Sequence, residues 1–468
     1  MAIPPRNNCH DPLSRRDFVK WSVAAGVGAR AALPGATATA TTTQASDALF
    51  AAPPLERVRI GFVGVGRMGT NHVRNLLRIE GAAIRAVCDI VEEHTTRAQD
   101  LVEEAGQPRP TGYSRGEYDF KRMCASEDLD LVFTATPWEW HVPVCVAAME
   151  NGKHAATEVP AAITLEGCWQ LVETAEKHQK HCIMMENCCY GRAEMTTLNM
   201  VRRGVLGALV HGSGGYMHDI RAIFAGEHPG REWFQAHALE RDGSLYATHG
   251  LGPVAQYMDI NRGDRFESLV SMSSPSLGMS AYIRDKFPEG DPRQHLQFAS
   301  GDVNTTLIRT ALGRTITVVY NGNSPRPYSR INMIQGTKGI IEGYPDQVYI
   351  DGVSPGHDWE PMDNYWDAYE PELWRVHGSE AAGYGHGGMD YLENLRLIHC
   401  LRQGKPLDMD VYDAAAWSAV FPLSEKSVAN GGAVIEAPDF TKGRWNQRPS
   451  LDVPGGTHDQ QDSPESIK

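Results

Sequence analysis

The sequence predicts an α/β protein in which a doubly wound parallel sheet is followed by an α+β domain built on a predominantly antiparallel, open sheet. Three observations carry this. A buried-strand run, Arg57 to Val63 (RVRIGFV), feeds directly into Gly64-Val65-Gly66-Arg67-Met68-Gly69 and then a helical stretch from Thr70 to Ile79. From there to about Tyr190, apolar runs alternate with helical patterns, the order that buries a parallel sheet between two helix layers. Beyond about Arg192 the runs turn strand-like with shorter connections, and several alternate apolar and polar residues as a half-buried antiparallel sheet does.

Each part of the first motif has a physical task. Gly64 permits the tight turn, Gly66 lets the backbone approach a pyrophosphate, and Gly69 allows close helix–strand packing. The amino end of the helical stretch that follows faces the phosphates with unpaired N–H groups. Asp89, about twenty residues on at the end of a strand from Ala83 to Cys88, can accept from a ribose 2′-hydroxyl. Ile90 follows, with no arginine to hold a 2′-phosphate, so the expected cofactor is NAD rather than NADP. The first domain is therefore a Rossmann domain.

In chain order, further strands are expected at Leu129 to Ala135, His154 to Val159 and Cys182 to Glu186, with helices at Val91 to Glu104, His141 to Gly152 and Leu165 to His178. Ligands of such sheets bind beyond the carboxyl ends of the strands. That rule gathers Thr136 to His141, Glu158 and Asn187 at one cleft. The second domain should contain strands at Leu209 to Asp219, Phe266 to Ser273, Val303 to Ala311, Thr315 to Tyr320 and Arg330 to Gln335, then helices at Gly388 to Arg402 and Val411 to Ala429, divided by Gly404-Lys405-Pro406.

Ahead of all this stands Ser14-Arg15-Arg16-Asp17-Phe18-Val19-Lys20 and a small-residue-rich apolar run from Trp21 to Ala32, the twin-arginine export pattern. The run is too short to anchor the chain in a membrane. The expected organisation is a twin-arginine signal peptide at 1–45, a linker at 46–56, the NAD-binding domain at 57–190, a substrate and oligomerisation domain at 191–445 and a disordered tail at 446–468. A periplasmic or secreted location follows, with the twin-arginine translocase as the partner during export. Free NAD is scarce there and NADH has no obvious route to reoxidation. An exported NAD protein should hold its cofactor tightly and return it to its starting state in every cycle.

A net charge of −14 gives no support to nucleic-acid or anionic-membrane binding. Nine cysteines occur, without a CxxC pair or any zinc-like spacing, so neither a metal site nor a disulfide framework is expected. The open sheet face suggests a homo-oligomer.

Thr157-Glu158-Val159-Pro160 ends the strand nearest the expected nicotinamide, and here the chain resembles the Gfo/Idh/MocA oxidoreductases. Those usually carry Glu-Lys-Pro, whose lysine moves a proton to or from a substrate hydroxyl; Val159 cannot. The segments Trp138-Glu139-Trp140-His141-Val142-Pro143, Glu186-Asn187-Cys188-Cys189-Tyr190-Gly191-Arg192, Tyr246-Ala247-Thr248-His249-Gly250-Leu251-Gly252-Pro253-Val254 and Gly385-His386-Gly387-Gly388-Met389-Asp390 resemble glycoside hydrolase family 109, the NAD-dependent α-N-acetylgalactosaminidase branch of that superfamily. The resemblance runs from about Arg57 to Trp445. It implies redox-neutral hydrolysis of terminal N-acetylgalactosaminides or related glycosides. Oxidation at C3 acidifies the C2 proton, the C1–oxygen bond breaks by elimination, water adds at C1, and C3 is reduced again.

By family position, Arg67, Met68, Asp89, Trp138, His141, Glu158, Val159 and Asn187 would line NAD, while Tyr216, Tyr246, Ala247, Thr248, His249 and Tyr328 would meet the sugar. His249 is the leading acid/base candidate, since imidazole titrates near neutrality. Tyr190 and Tyr246 are the other proton-transfer candidates. Glu158 is read as orienting the cofactor, and His386 as either reaching the cleft or serving structure. After Trp233 the family commonly has an arginine that contacts substrate; here Phe234 stands there, able to stack on a sugar face but not to donate. Arg231 or Arg241 would have to compensate. Two other readings stay open: an NAD(P)-dependent sugar dehydrogenase or oxidoreductase, and a non-catalytic sugar-binding protein with structural NAD.

Overall fold

The computed structural model describes residues 52–454. The export pattern, most of the linker and the last part of the polar tail lie outside the described residues. The first sheet holds six strands, β1 (Val58–Val63), β2 (Ala82–Cys88), β3 (Thr111–Tyr113), β4 (Leu131–Thr134), β5 (His154–Thr157) and β6 (Cys182–Met184). Their order is β3-β2-β1-β4-β5-β6, and every neighbouring pair is parallel. Helices α1 (Arg67–Leu76), α2 (Glu92–Glu104), α3 (Asp119–Ser126), α4 (His141–Glu150) and α5 (Leu165–His178) supply the crossovers. β1 and β4 are buried along almost their whole length, which is why they read as continuous apolar runs. The strand order reverses between β1 and β4, and that reversal opens the ligand crevice. β3 and α3 were not expected. β3 is three residues long with two exposed, and α3 has only eight residues, too few for a clear period.

The second sheet has nine strands in the order β14-β13-β12-β11-β7-β10-β9-β8-β15. These are β7 (Leu209–Met217), β8 (Phe266–Ser273), β9 (Asn304–Thr310), β10 (Thr315–Asn321), β11 (Met333–Gly336), β12 (Gly339–Glu342), β13 (Gln347–Ile350), β14 (Glu360–Pro361) and β15 (Ile435–Glu436). Its pairings are antiparallel except β10 with β7. β9 alternates buried and exposed residues at every step, as one covered and one open face require. The helices of this half include α6 (Arg192–Arg202), α7 (Glu232–Glu240), α8 (Thr248–Tyr257), α9 (Met389–Gln403) and α10 (Val411–Ala429); α8 packs on β7 and α10 on β8, while α9 packs on α1.

α10 starts at a reciprocal Asp410–Asp413 cap and packs on both α5 and β8, joining the cores of the two halves. Ser418 on this helix accepts from the Ala161 amide at 3.0 Å, just past the end of β5. Residues 446–454, the described part of the expected tail, are tied to the second half. Arg448 pairs with Asp410 and donates to the Asn261 carbonyl, and Arg202 donates to the Leu451 carbonyl at 2.7 Å. At the other end Leu55 donates to Leu401, so the last linker residues dock beside α9. Among the described residues eight cysteines are buried and none is in a disulfide. No helix among the described residues is long and apolar enough to cross a membrane.

Candidate functional site

At the amino end of α1 the glycine loop is closed by side chains from β2 and α2. Asp89 accepts from the Val65 and Val91 amides, each at 2.9 Å, and Arg97 donates to the Val65 carbonyl at 3.0 Å. The fit of a dinucleotide can be judged from two glycines. A Cβ at Gly69 would stand 1.9 Å from the Gly64 carbonyl oxygen, so that glycine serves packing. A Cβ at Gly66 would meet only the His94 ring, 3.9 Å away, so the space above it is open for a pyrophosphate. Arg67 is exposed and Met68 half-buried at the start of α1. Gly64, Gly66, Arg67, Met68, Gly69 and Asp89 together fit NAD.

Glu158 and Asn187 lie past the ends of β5 and β6. The Glu158 carboxylate is backed by His72 of α1, with Oε1 2.7 Å from Nε2. Asn394 lies 2.9 Å from His72 Nδ1 on the other side of the ring. Burial works against a charge on His72, but the hydrogen bond and charge of Glu158 outweigh it and hold the imidazole above its ordinary range. Asn187 donates to Asp390 at 2.6 Å.

Three expected cofactor residues are placed differently. Val159 is buried, so only its backbone can border the cleft. His141 is wholly buried, with its ring nitrogens 2.7 Å from the Pro160 carbonyl and 2.9 Å from that of Thr136. It clamps the walls together. Trp138 is buried too, stacked between Tyr246 and His237.

The other wall comes from β7 and α8. Gly250 lies directly on the strand: a Cβ there would stand 1.9 Å from the Gly215 nitrogen, and one at Gly214 would stand 2.1 Å from the Gly250 carbonyl oxygen. Only glycine allows this approach. It sets His249 beside Tyr216, ring centroids 5.6 Å apart, and edge-on to Tyr246 at 4.8 Å. Two residues on, Gly252 leaves room for Glu186, whose Cγ a Cβ would meet at 2.9 Å. Glu186 Oε1 consequently reaches His249 Nδ1 at 2.6 Å. The Glu186 side chain has no exposure at all. Burial alone would raise its pKa, but the charge and hydrogen bond of His249 hold it below the ordinary carboxylate range.

The Tyr216 hydroxyl lies 2.9 Å from His218 Nδ1, and Tyr328, 37% exposed, stands edge-on to both rings. Burial, reinforced by Tyr216, Glu158 and Glu186, pushes the Tyr246 hydroxyl well above its ordinary range, so it keeps its proton.

Other expectations are corrected. Tyr190 is buried, and its hydroxyl donates to Asp408 at 3.0 Å, a carboxylate paired in turn with Arg396. It belongs to the core. Phe234 is boxed in by Trp138, Phe224 and Trp233 at 4.9–5.3 Å and supports the aromatic wall from behind. Ala247, which caps α8, and Thr248 in its first turn are both buried, so their side chains do not face a sugar. Arg241 is held by Glu425 and the Ile163 carbonyl. Arg231 lies over Phe234 at 5.9 Å, and its charge bears on Tyr216 and His218.

The donor atoms of Glu186, Cys188 and His249 lie within 4.8 Å of one another, a set that could hold a metal ion. His249 Nδ1 is already engaged by Glu186 and the Arg330 charge bears on Cys188, so the arrangement is read as a hydrogen-bonded pair. Sequence reasoning assigned no role to Glu186, His72 or Asp390. The spacing of Gly250 and Gly252 was the available signal for Glu186.

A parallel sheet ordered in this way, with a glycine cradle at its switch point and a mixed sheet behind the cleft, defines an NAD-binding Rossmann protein of the Gfo/Idh/MocA kind. Residues 58–186 match the oxidoreductase family NAD-binding Rossmann fold, and residues 190–447 match the glycosyl hydrolase 109 C-terminal domain. A glycosyl hydrolase family 109 protein of Solibacter usitatus (strain Ellin6076) is 48% identical over 442 residues, covering 94% of this chain and 99% of that one. Another, of Shewanella sp. (strain W3-18-1), is 46% identical over 410 residues, covering 86% and 89%. The chain belongs to glycosyl hydrolase family 109. Among solved structures, levoglucosan dehydrogenase in complex with NADH and levoglucosan shares the fold with a TM-score of 0.63 at 18% identity, covering 82% of this chain and 100% of that one. Scyllo-inositol dehydrogenase of Lactobacillus casei with NAD(H) and scyllo-inositol does so at 0.57 and 14%, covering 81% and 99%.

Proposed function

We propose that the protein is an exported glycosidase that hydrolyses terminal N-acetylgalactosaminides or related glycosides and leaves its NAD unchanged after each turnover. The observation that carries this reading is His249, backed by a buried carboxylate and set among tyrosines, facing a cleft whose other wall holds the dinucleotide residues. When bound, NAD supplies reversible oxidation at C3, which brings the neighbouring C2–H within reach of a side-chain base.

With Nδ1 held by Glu186, His249 is placed to remove that proton through Nε2. Tyr246 keeps its proton and suits the opposite task, donation to the departing glycosidic oxygen. Tyr216 and Tyr328 offer hydroxyls and ring faces to the sugar, and Arg231 is the cation placed to serve where Phe234 cannot. The twin-arginine segment supports export, and the scarcity of an external NADH acceptor supports a redox-neutral cycle.

The test is incubation with p-nitrophenyl N-acetylgalactosaminide in D₂O. This reading predicts nitrophenol release, deuterium at C2 of the sugar and no net NADH. Accumulating NADH with intact glycoside would make the protein a dehydrogenase, and no reaction at all would leave a binding protein.

A further inference from the structure

Past the end of β6 the cleft holds another carboxylate-backed imidazole. His386 sits in the turn Gly385-His386-Gly387-Gly388 with its side chain 53% exposed, and its Nδ1 lies 2.8 Å and 2.9 Å from the two oxygens of Asp390, itself 2% exposed. Asn187 closes the arrangement, 3.2 Å from His386 Nδ1 and 2.6 Å from Asp390 Oδ1. The turn is bent to make this contact. His386 has a φ of +48°, a left-handed conformation costly for a residue with a Cβ, and a Cβ at Gly385 would stand 2.1 Å from Asp390 Oδ2. Strain of this kind persists where surrounding structure enforces it.

Its surroundings locate the imidazole. The charges that bear on it are Asp390 beneath, Glu158 from the end of β5 and Arg330, while His218 of the β7 wall feels the His386 charge in turn. With Asn187, just past the end of β6, 3.2 Å from its Nδ1, His386 lies on the cofactor side of the cleft, where Val159 offers no proton acceptor. Resting on the glycosidase reading above, we infer that His386, held by Asp390, takes the proton of the sugar hydroxyl while its carbon is oxidised and returns it when that carbon is reduced. The O–H bond breaks and its proton bonds to His386 Nε2. The adjacent C–H bond breaks with its electron pair going to oxidised nicotinamide, and a C=O bond forms. The same steps in reverse close the cycle, so no external oxidant is needed. His249 and His386 then divide the chemistry between carbon-bound and oxygen-bound protons.

The test uses the NAD-loaded protein and two substrates: an intact glycoside, and the same glycoside already oxidised to the 3-ketone. His386→Ala should form reduced cofactor from the intact glycoside about a hundredfold or more slower than the parent. It should retain its full content of bound NAD and eliminate the 3-keto glycoside within about threefold of the parent rate. Asp390→Asn should lower the pKa of the His386 ring, read by NMR, and move the acid limb of the oxidation step to lower pH, because the carboxylate that favours the imidazolium is gone. Equal oxidation rates in parent and His386→Ala, or loss of both reactions in the variant, would overturn the assignment. A parent inactive on both substrates would instead overturn the glycosidase reading and this one with it.

Discussion

The cleft contains two histidine–glutamate pairs of nearly the same length built in opposite order. In one, His249 is the exposed member at 13% and Glu186 behind it has no exposure, 2.6 Å away. In the other, Glu158 is exposed at 18% and His72 is sealed behind it at 2%, 2.7 Å away. The first pair presents an imidazole backed by a buried carboxylate, and the second a carboxylate backed by a buried imidazole. On the proposed reading, the same two residue types thus yield a proton-transfer group on the β7 wall and a cofactor-side carboxylate on the dinucleotide wall. What decides the outcome is which partner the backbone buries. Gly252 lets α8 close over Glu186, whereas His72 sits on the inner face of α1 beneath the end of β5.

Removing the exposed imidazole should do the most damage. His249→Ala is expected to lower glycoside cleavage by roughly 10²–10⁴-fold with NAD still bound, measured as nitrophenol release and as cofactor recovered on denaturation. An undiminished rate would end the distinction between the two pairs. Glu186→Gln keeps the shape behind His249 but removes the charge, and a loss of about 10–100-fold in turnover with little change in KM is expected.

The reversed pair should respond less in rate and more in pH. His72→Gln is expected to slow turnover by about threefold to tenfold. The native state holds the His72 proton more tightly than the unfolded chain does. That stabilisation is complete below the ordinary value of 6.5 and fades as pH rises through the raised one. The Tm difference between parent and His72→Gln should therefore be greatest in mild acid and shrink on the alkaline side. A difference independent of pH would show that the buried ring carries no proton. Tyr190→Phe, which touches neither pair, should leave turnover within about twofold and cost about 1–3 kcal/mol of stability by denaturant titration.

The two walls also differ in how far they could be read from sequence. The dinucleotide wall follows local rules: a strand, a glycine turn, a helix and an acid within one short stretch, so β1, α1, β2 and Asp89 were foreseen together. α5 and α10 were foreseen to the residue because their periods are long and their caps clear. β3 and α3 were missed because short elements leave no period. The sugar wall is assembled from distant segments. Glu186 and His249 are 63 positions apart, and even on the dinucleotide wall His72 meets Asn394 from 322 positions away. His72 reads as one more residue of an amphipathic helix until the fold places Glu158 against it. Tyr190 misled for the same reason: a tyrosine beside motif residues looks catalytic until its hydroxyl is found on Asp408. Phe234 misled because a position taken from a resemblance carries no information about which neighbours enclose the ring.

The central claim is that cleavage depends on a nicotinamide that ends each turnover as it began. Stripping the protein of all bound NAD and assaying nitrophenol release before and after NAD is restored tests it most directly. The account predicts no cleavage in the stripped protein, recovery at one NAD per active site and no growth of NADH as product accumulates. Full cleavage by the stripped protein would contradict it.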